Sequence, residues 1–456
     1  MNQKDTICAV STPPGKGGIA VIRISGADAS DIVAKAWLGK NFIDFPRLAF
    51  YGSYVSIEGS PIDDVILTYF KAPVSFTGED TIEISVHGSK WIQKEIINDL
   101  IRRGTRIADP GEFTMRAFVN GKMDLAQAEG VADVIASETK ASHKLAVSQM
   151  KGDFSKELSM LRNQLIEFTS LLELELDFSE EDVEFANREN LKKLLREVRN
   201  RIKNLADSFS QGKVIKEGIP VVIAGVPNAG KSSLLNLLSN EEKAIVTDIP
   251  GTTRDLIEEK IEIEGILFRF IDTAGLHETT DKIENIGISK AKESIKNAVI
   301  IIWMIDPTGD VSSQSEELNV ILNEASGAHL IILENKIDLR KDITIPTLGG
   351  LESVGIIPFS TKTKTGLDEL LSKLREIALS ELPERDIVVT NARHYEALLN
   401  SLQSIDKTLE DLESGVPSDF VAQDIRETIH HLGTITGTIT TDDLLQTIFS
   451  RFCIGK

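Results

Sequence analysis

Apolar positions along the 456-residue chain change their period three times. In residues 1–120, short β-rich runs such as "IAVIRIS" and "VILTYFKAP" are broken by "TPPGKGG", "FTGED" and "HGS". That alternation predicts an α+β domain with several turns. Over 121–215 the spacing becomes three and four: Leu158, Leu161, Leu165, Phe168 and Leu172 fall on one helical face. The charged run "NRENLKKLLREVRNRIKNLADSF" continues the helical texture, and dense charge of this kind usually marks a solvated face. Over 216–382, the strands "IPVVIAG", "LFRFIDTAG", "NAVIIIWMID" and "HLIILENKID" alternate with helical stretches, which predicts a parallel sheet with crossover helices. Helical spacing returns over 383–456, in Tyr395, Leu398, Leu402 and Ile405 and again in Ile425, Ile429, Leu432 and Ile435. The expected architecture is multidomain: an α+β N-terminal domain, an all-α domain in two parts, and an α/β domain inserted between those parts. Two separate helical domains are the alternative.

Composition narrows this picture. Hydrophobic residues make up 41% and aromatics only 5%, so the cores should be aliphatic. The net charge of -20 favours solubility and disfavours a surface uniformly coated for nucleic acid. Any RNA contact must come from a minority surface or from a partner. No apolar run of about 18 residues occurs, so no membrane-spanning helix is expected. "MNQKDTICAV" lacks the form of a secretory signal, and the expected location is the cytoplasm. Two cysteines, Cys8 and Cys453, argue against a disulfide framework or a cysteine-cluster zinc site.

"GVPNAGKS", Gly225 to Ser232, fits the phosphate-loop pattern between a strand and a helix. Backbone N–H groups across Asn228, Ala229, Gly230 and on to Ser233 suit phosphates. Lys231 suits β/γ-phosphate charge, and Ser232 suits Mg²⁺. "DTAG" (Asp272, Thr273, Ala274, Gly275) ends a second strand; Asp272 can hold Mg²⁺ through water, and the Gly275 N–H can meet a γ-phosphate. "NKID" ends another. The Asp338 carboxylate can accept two hydrogen bonds from guanine, which adenine cannot give, while Asn335 and Lys336 flank the base. Ser360 and Thr361 follow the next strand. Four motifs in order at strand ends point to GTP as substrate. In "TDIPGTTRD" (Thr247, Asp248, Ile249, Pro250, Gly251, Thr252, Thr253 and onward), Thr253 or Thr252 should complete the Mg²⁺ shell. Leu276 stands where many GTPases place a water-orienting glutamine. Glu278, Asp281 and Glu284 are the acidic candidates downstream.

Taken together, "TPPGKGG…IRISG", "SFTGED", "PGEFTMRAF", "KMDLAQAEG", "GVPNAGKSSLLN", "DIPGTTRD", "IDTAGL" and the terminal "FCIGK" resemble the MnmE/TrmE tRNA-modification GTPases over residues 12–456. The resemblance implies a folate-binding N-terminal domain that dimerises the chain, and a Ras-like P-loop domain inserted in the helical domain. It implies a complex with the FAD-dependent protein MnmG, as a heterotetramer or larger. Together they would add an aminomethyl or carboxymethylaminomethyl group to C5 of the wobble uridine (U34) of tRNA. The one-carbon unit would come from 5,10-methylene- or 5-formyl-tetrahydrofolate. The resemblance also implies a K⁺ site at Asn228, Thr247, Ile249 and Thr252, Thr253 as the Mg²⁺ threonine, and Glu284 as the residue that orients water. It implies folate contacts at Arg23, Glu83, Lys122 and Lys456. "VHGSK" departs from it slightly, with Ser89 in place of a common glycine. A regulatory or ribosome-associated GTPase without modification chemistry is the alternative function.

The ending "RFCIGK" lacks the final residue of a prenylation signal. Thr441 is a plausible cap, followed by Asp442 and Asp443 and then apolar Leu444, Leu445, Ile448 and Phe452, which predicts a docked helix. Gly455 is expected to turn the chain off the helix end. The family resemblance places Cys453 near the folate pocket, as a possible participant in one-carbon chemistry.

Overall fold

The computed structural model describes residues 5–177, 188–241, 243–244, 258–272, 292–306, 311–325, 327–339, 356–381 and 387–455. The chain forms two compact units.

The first unit takes in residues 1–132, 149–192 and 404–456. It holds a seven-stranded sheet of β1 (Ile7–Val10), β2 (Ile19–Ser25), β3 (Trp37–Leu38), β4 (Ala49–Val55), β5 (Pro61–Phe70), β6 (Thr81–His87) and β7 (Arg106–Ile107), in the order β3-β4-β5-β6-β2-β1-β7. Neighbours pair antiparallel except β1 with β7. Alternate residues of β2 and β6, among them Ile22, Ile24, Ile82 and Ile84, are buried with Ile32, Val33, Ile96 and Leu100 of the helices Ala29–Ala34 and Lys90–Arg102. Each such aliphatic side chain contributes roughly 1.5–3 kcal/mol when fully buried. The buried Asp99 pins the second helix, accepting from the Tyr54 hydroxyl (2.9 Å), the Ile57 N–H (2.8 Å) and Arg103 Nε (2.6 Å). Burial, and then the charge of Asp99, push the Tyr54 hydroxyl well above its usual range.

In the same unit, helix Asp153–Asp177 packs on helix Ser418–Thr436. Arg426 Nε bonds Glu173 at 3.0 Å, and Arg188 bonds both Glu175 (2.6 Å) and Ser418 (2.7 Å). Helices from either side of the α/β segment therefore pack together. The apolar stripe differs at one position from its expected form. Phe168 is only half-buried and Thr169 takes the buried place, its hydroxyl donating to Leu165 O at 2.8 Å. Helical back-bonding satisfies the hydroxyl, so a threonine can stand in the stripe.

The second unit, residues 133–148 and 193–403, contains the α/β sheet. Its strands are β8 (Ile219–Gly225), β9 (Lys243–Ala244), β10 (Glu258–Ile263), β11 (Ile266–Asp272), β12 (Ile300–Ile305), β13 (His329–Glu334) and β14 (Ile356–Pro358), ordered β14-β13-β12-β8-β11-β10-β9. The parallel sheet expected from the sequence forms across β11, β8, β12, β13 and β14, and antiparallel pairing is added at one side, where β10 runs antiparallel to both β11 and β9. The cause is local. Glu264 and Gly265 both have positive φ (49° and 85°) and close a two-residue hairpin between Ile263 and Ile266. The buried central strands β8 and β12 carry apolar side chains on both faces, as a helix-covered parallel core requires.

Among the described residues, no helix is long and apolar enough to cross a membrane.

Candidate functional site

The glycine-rich loop sits at the C-terminal end of β8, beside β11 and β12. Asn228 adopts positive φ (65°), which asparagine tolerates better than most residues. Gly230 also has positive φ (105°), and a Cβ there would lie 2.3 Å from Asn335 Nδ2, so only glycine fits. Lys231 then opens helix Lys231–Glu241, with Ser232 and Ser233 exposed in its first turn. The N–H groups of a helix's first turn have no acceptor within the helix and suit phosphate oxygens. Lys231 Nζ donates to Gly225 O (2.8 Å) and Val226 O (3.1 Å), which keeps the ammonium over the loop. Asp272 ends β11 in register with Ile223 of β8.

The base-side motifs converge on that loop. Asn335, buried at the end of β13, donates from Nδ2 to Ala229 O at 2.7 Å and accepts from the Thr361 N–H at 3.2 Å. One side chain therefore joins the phosphate loop, "NKID" and "FSTKT". Asp338 is exposed, and its Oδ1 accepts from the Ser360 hydroxyl at 2.7 Å. The Ser360 N–H is taken by Thr365 O at 3.1 Å. Lys336 Nζ bonds Asp306 Oδ2 at 2.6 Å. Asp306 is itself held in a two-way backbone pairing with the buried Gln314 side chain, at 3.0 Å in each direction. Sequence reasoning did not single out Asp306 or Gln314. The signal was present in "WMID", whose aspartate directly follows a strand, much as Asp272 of "FRFID" closes one. Thr247 to Thr253, Thr273 to Gly275, and Glu284 lie outside the described residues, as does Lys456.

A second constellation lies on the N-terminal sheet. Arg23 and Glu83 are cross-strand partners on β2 and β6, with Arg23 Nη2 and Nε 2.8 and 3.0 Å from Glu83 Oε1. The guanidinium also lies over the rings of Phe76 (5.3 Å) and Phe113 (5.7 Å). β2 is flanked by β6 and β1, so Arg23 is a central residue of the sheet and not an edge charge. Lys122 Nζ donates to Pro73 O at 2.9 Å, in the same loop that carries Phe76.

The chain end reaches this sheet. Helix Asp442–Phe449 starts at Thr441, whose hydroxyl accepts from the Leu444 N–H at 3.3 Å. Leu444, Leu445, Phe449 and Phe452 pack with Met115, Phe118 and Leu125. The expectation that Gly455 turns the chain off the end of that helix is corrected: Ser450 caps it with ordinary right-handed geometry. Gly455 instead has positive φ (95°) and presses on β1, where a Cβ would lie 2.4 Å from Val10 O. The Ser11 hydroxyl donates to Gly455 O at 3.0 Å, and Gly111 N–H donates to Cys453 O at 3.4 Å. Ala9 of β1 is in register with Arg23, so Gly455 meets the end of the strand next to that arginine, and the Cys453 side chain is exposed.

The "PGEFTMRAF" motif has a different role. Glu112 and Arg116, both buried, form an ionic network with Asp5, Glu79 and Arg106. Burial alone would raise the Glu112 carboxyl. The hydrogen bond from Arg106, the Asp109 N–H and Arg116 outweigh it and hold the group below its usual value. Asp5 is lowered in the same way, against burial, by Arg106 and Arg116.

A glycine-rich phosphate loop tied to base-side loops at the ends of a largely parallel sheet defines a P-loop GTPase fold. The model of the MnmE helical domain matches residues 125–453, and that of the GTP-binding protein TrmE N-terminus matches residues 6–122. The tRNA modification GTPase MnmE of Cytophaga hutchinsonii is 51% identical over 459 residues, covering 100% of this chain and 98% of the relative. Its counterpart from Parabacteroides distasonis is 50% identical, covering 99% and 100%. The chain belongs to the MnmE family of tRNA modification GTPases.

Proposed function

We propose that this protein hydrolyses GTP to drive modification of C5 of the wobble uridine in tRNA, together with an FAD-dependent partner and a tetrahydrofolate one-carbon donor. The observation that carries the GTPase half is the Asn335 bridge, which fixes the phosphate loop and the guanine-reading loop as one body. Asp338 reads the base, and Lys231 with the N–H groups of Asn228 to Ser233 binds the phosphates. Ser232 and Thr253 would hold Mg²⁺; Asn228, Thr247, Ile249 and Thr252 would hold K⁺. The described members fit, since Asn228 stands in left-handed geometry within the loop and Ser232 lies in the first helical turn. Bound there, the two cations supply positive charge against the phosphate charge that grows in the transition state. Glu284 orients water in place of the glutamine that Leu276 replaces.

The modification half rests on the N-terminal constellation. Arg23 and Glu83 offer a fixed donor and acceptor suited to a pterin ring, and Lys122 and Lys456 suit the carboxylates of a folate. Two copies of the chain would pair through this domain, and Cys453 would lie close to the one-carbon unit. GTP turnover should be strongly stimulated by potassium over sodium, and the stimulation should be lost in Glu284→Ala. Equal rates in the two salts would overturn the cation assignment. Mass analysis of wobble uridines in cells lacking the protein tests the modification; unchanged uridines would sink it.

A further inference from the structure

Helix Arg188–Asp207 reverses the charge of the rest of the molecule. It carries seven Lys and Arg residues against three Asp and Glu. The long helices elsewhere have the opposite balance: Asp153–Asp177 has two cations against six carboxylates, and Ala392–Ser414 has two against five. A face that only needed solvation would follow the acidic habit of a chain with net charge -20. This one does not.

The helix is also cleanly two-sided. Leu195, Val198, Ile202 and Leu205 are buried. Lys193, Arg196, Asn200, Arg201, Lys203 and Asn204 are exposed and share the outer side, where Glu197 is the carboxylate nearest the middle. From Lys193 to Asn204 the helix rises about 16 Å at 1.5 Å per residue. Cations interleaved with asparagine amides suit phosphodiester oxygens, which accept from both. A protein this acidic repels a polyanion at long range, so a local cationic strip is where an RNA backbone can approach.

We infer that the exposed side of residues 193–204 is a docking surface for the sugar–phosphate backbone of the tRNA substrate. This rests on the reading of the protein as a tRNA-modifying enzyme. Contacts of this kind set position and not sequence choice. They release counterions, so affinity should fall steeply with salt.

The test compares the full-length protein with Lys193→Gln/Arg196→Gln/Arg201→Gln, substitutions that keep good helix formers. Binding of a labelled, unmodified tRNA transcript is titrated over a series of potassium chloride concentrations. Thermal unfolding and basal GTP turnover of the variant should match the wild type. Its affinity should drop tenfold or more, and the slope of log affinity against log salt should become shallower by about two to three, close to the ~0.9 expected per phosphate contact. Wild-type affinity and slope in the variant would overturn the inference. So would weaker binding at an unchanged slope, which would mean that shape and not charge was lost. Intact tRNA binding with lost capture of the FAD-dependent partner would make the strip a protein-docking surface and overturn the RNA assignment. A wild-type protein that binds no tRNA, in cells whose wobble uridines do not depend on it, would locate the failure in the functional reading itself.

Discussion

Single residues hold together what the motifs only suggest. Gly230→Ala would place a methyl group into Asn335 Nδ2 and strain a left-handed backbone. We expect at least a tenfold loss of GTP affinity, read by titration with a fluorescent GTP analogue. Asn335→Ala should cost a similar amount by freeing the loops from each other. The Glu112 network makes a different prediction. Breaking a buried ion pair by removing one partner costs about 3–5 kcal/mol, so Glu112→Gln should lower the urea midpoint at neutral pH. The pH dependence follows from the lowered carboxyls. Asp5 and Glu112 sit below their ordinary values of 3.8 and 4.5. A group depressed by folding stabilises above its unfolded value and loses that contribution as pH falls through the folded one. The gap between wild type and Glu112→Gln should be widest above about pH 5 and narrow steadily in acid. A gap that stays constant with pH would show that the carboxylate charge is not the source. None of this network was legible from "PGEFTMRAF", because a buried charge looks like an exposed one until its partners, here Asp5 and Glu79, arrive from distant segments.

At the scale of elements, local signals carried far. The strand "IPVVIAG", the strand "HLIILE" within "HLIILENKID", the helix after Thr441 and, apart from the exchange of Phe168 for Thr169, the stripe from Leu158 to Leu172 formed where period and capping placed them, because local chemistry decides them. The hairpin at Glu264–Gly265 and the seat of Gly455 were not readable, since each depends on a strand partner that periodicity does not name. Thr441→Ala should cost about 1 kcal/mol of local stability through its lost cap. The consequence is testable on the tail. Gly455→Ala, barred by Val10 O and by its own φ, should detach the last residues from β1. We expect faster carboxypeptidase release of the tail with GTP binding unchanged, and weaker binding of 5-formyltetrahydrofolate. Folate binding equal to wild type would separate the tail from that site.

For the whole molecule, the inserted order of domains was visible as a change of texture along the sequence, while the division into compact units was not. Residues 133–148 join the α/β unit, where Asp133 pairs with Lys216 (2.7 Å) and Glu138 with Lys260 (3.3 Å). Surface pairs of this kind carry little energy and no sequence signature. The contact between Ser11 and Gly455 spans 444 positions of the chain. It sets a timetable for synthesis. All described strands of the α/β sheet have left the ribosome once Pro358 has emerged, so that sheet can close while the chain is still growing. The first unit draws on residues 404–456 and must wait, with Val10 and Ser11 lacking their contact with Gly455 until translation ends. At about 5–20 residues per second the interval lasts several seconds. Through that window the α/β sheet can already be closed while the end of β1 still lacks the tail that will meet it.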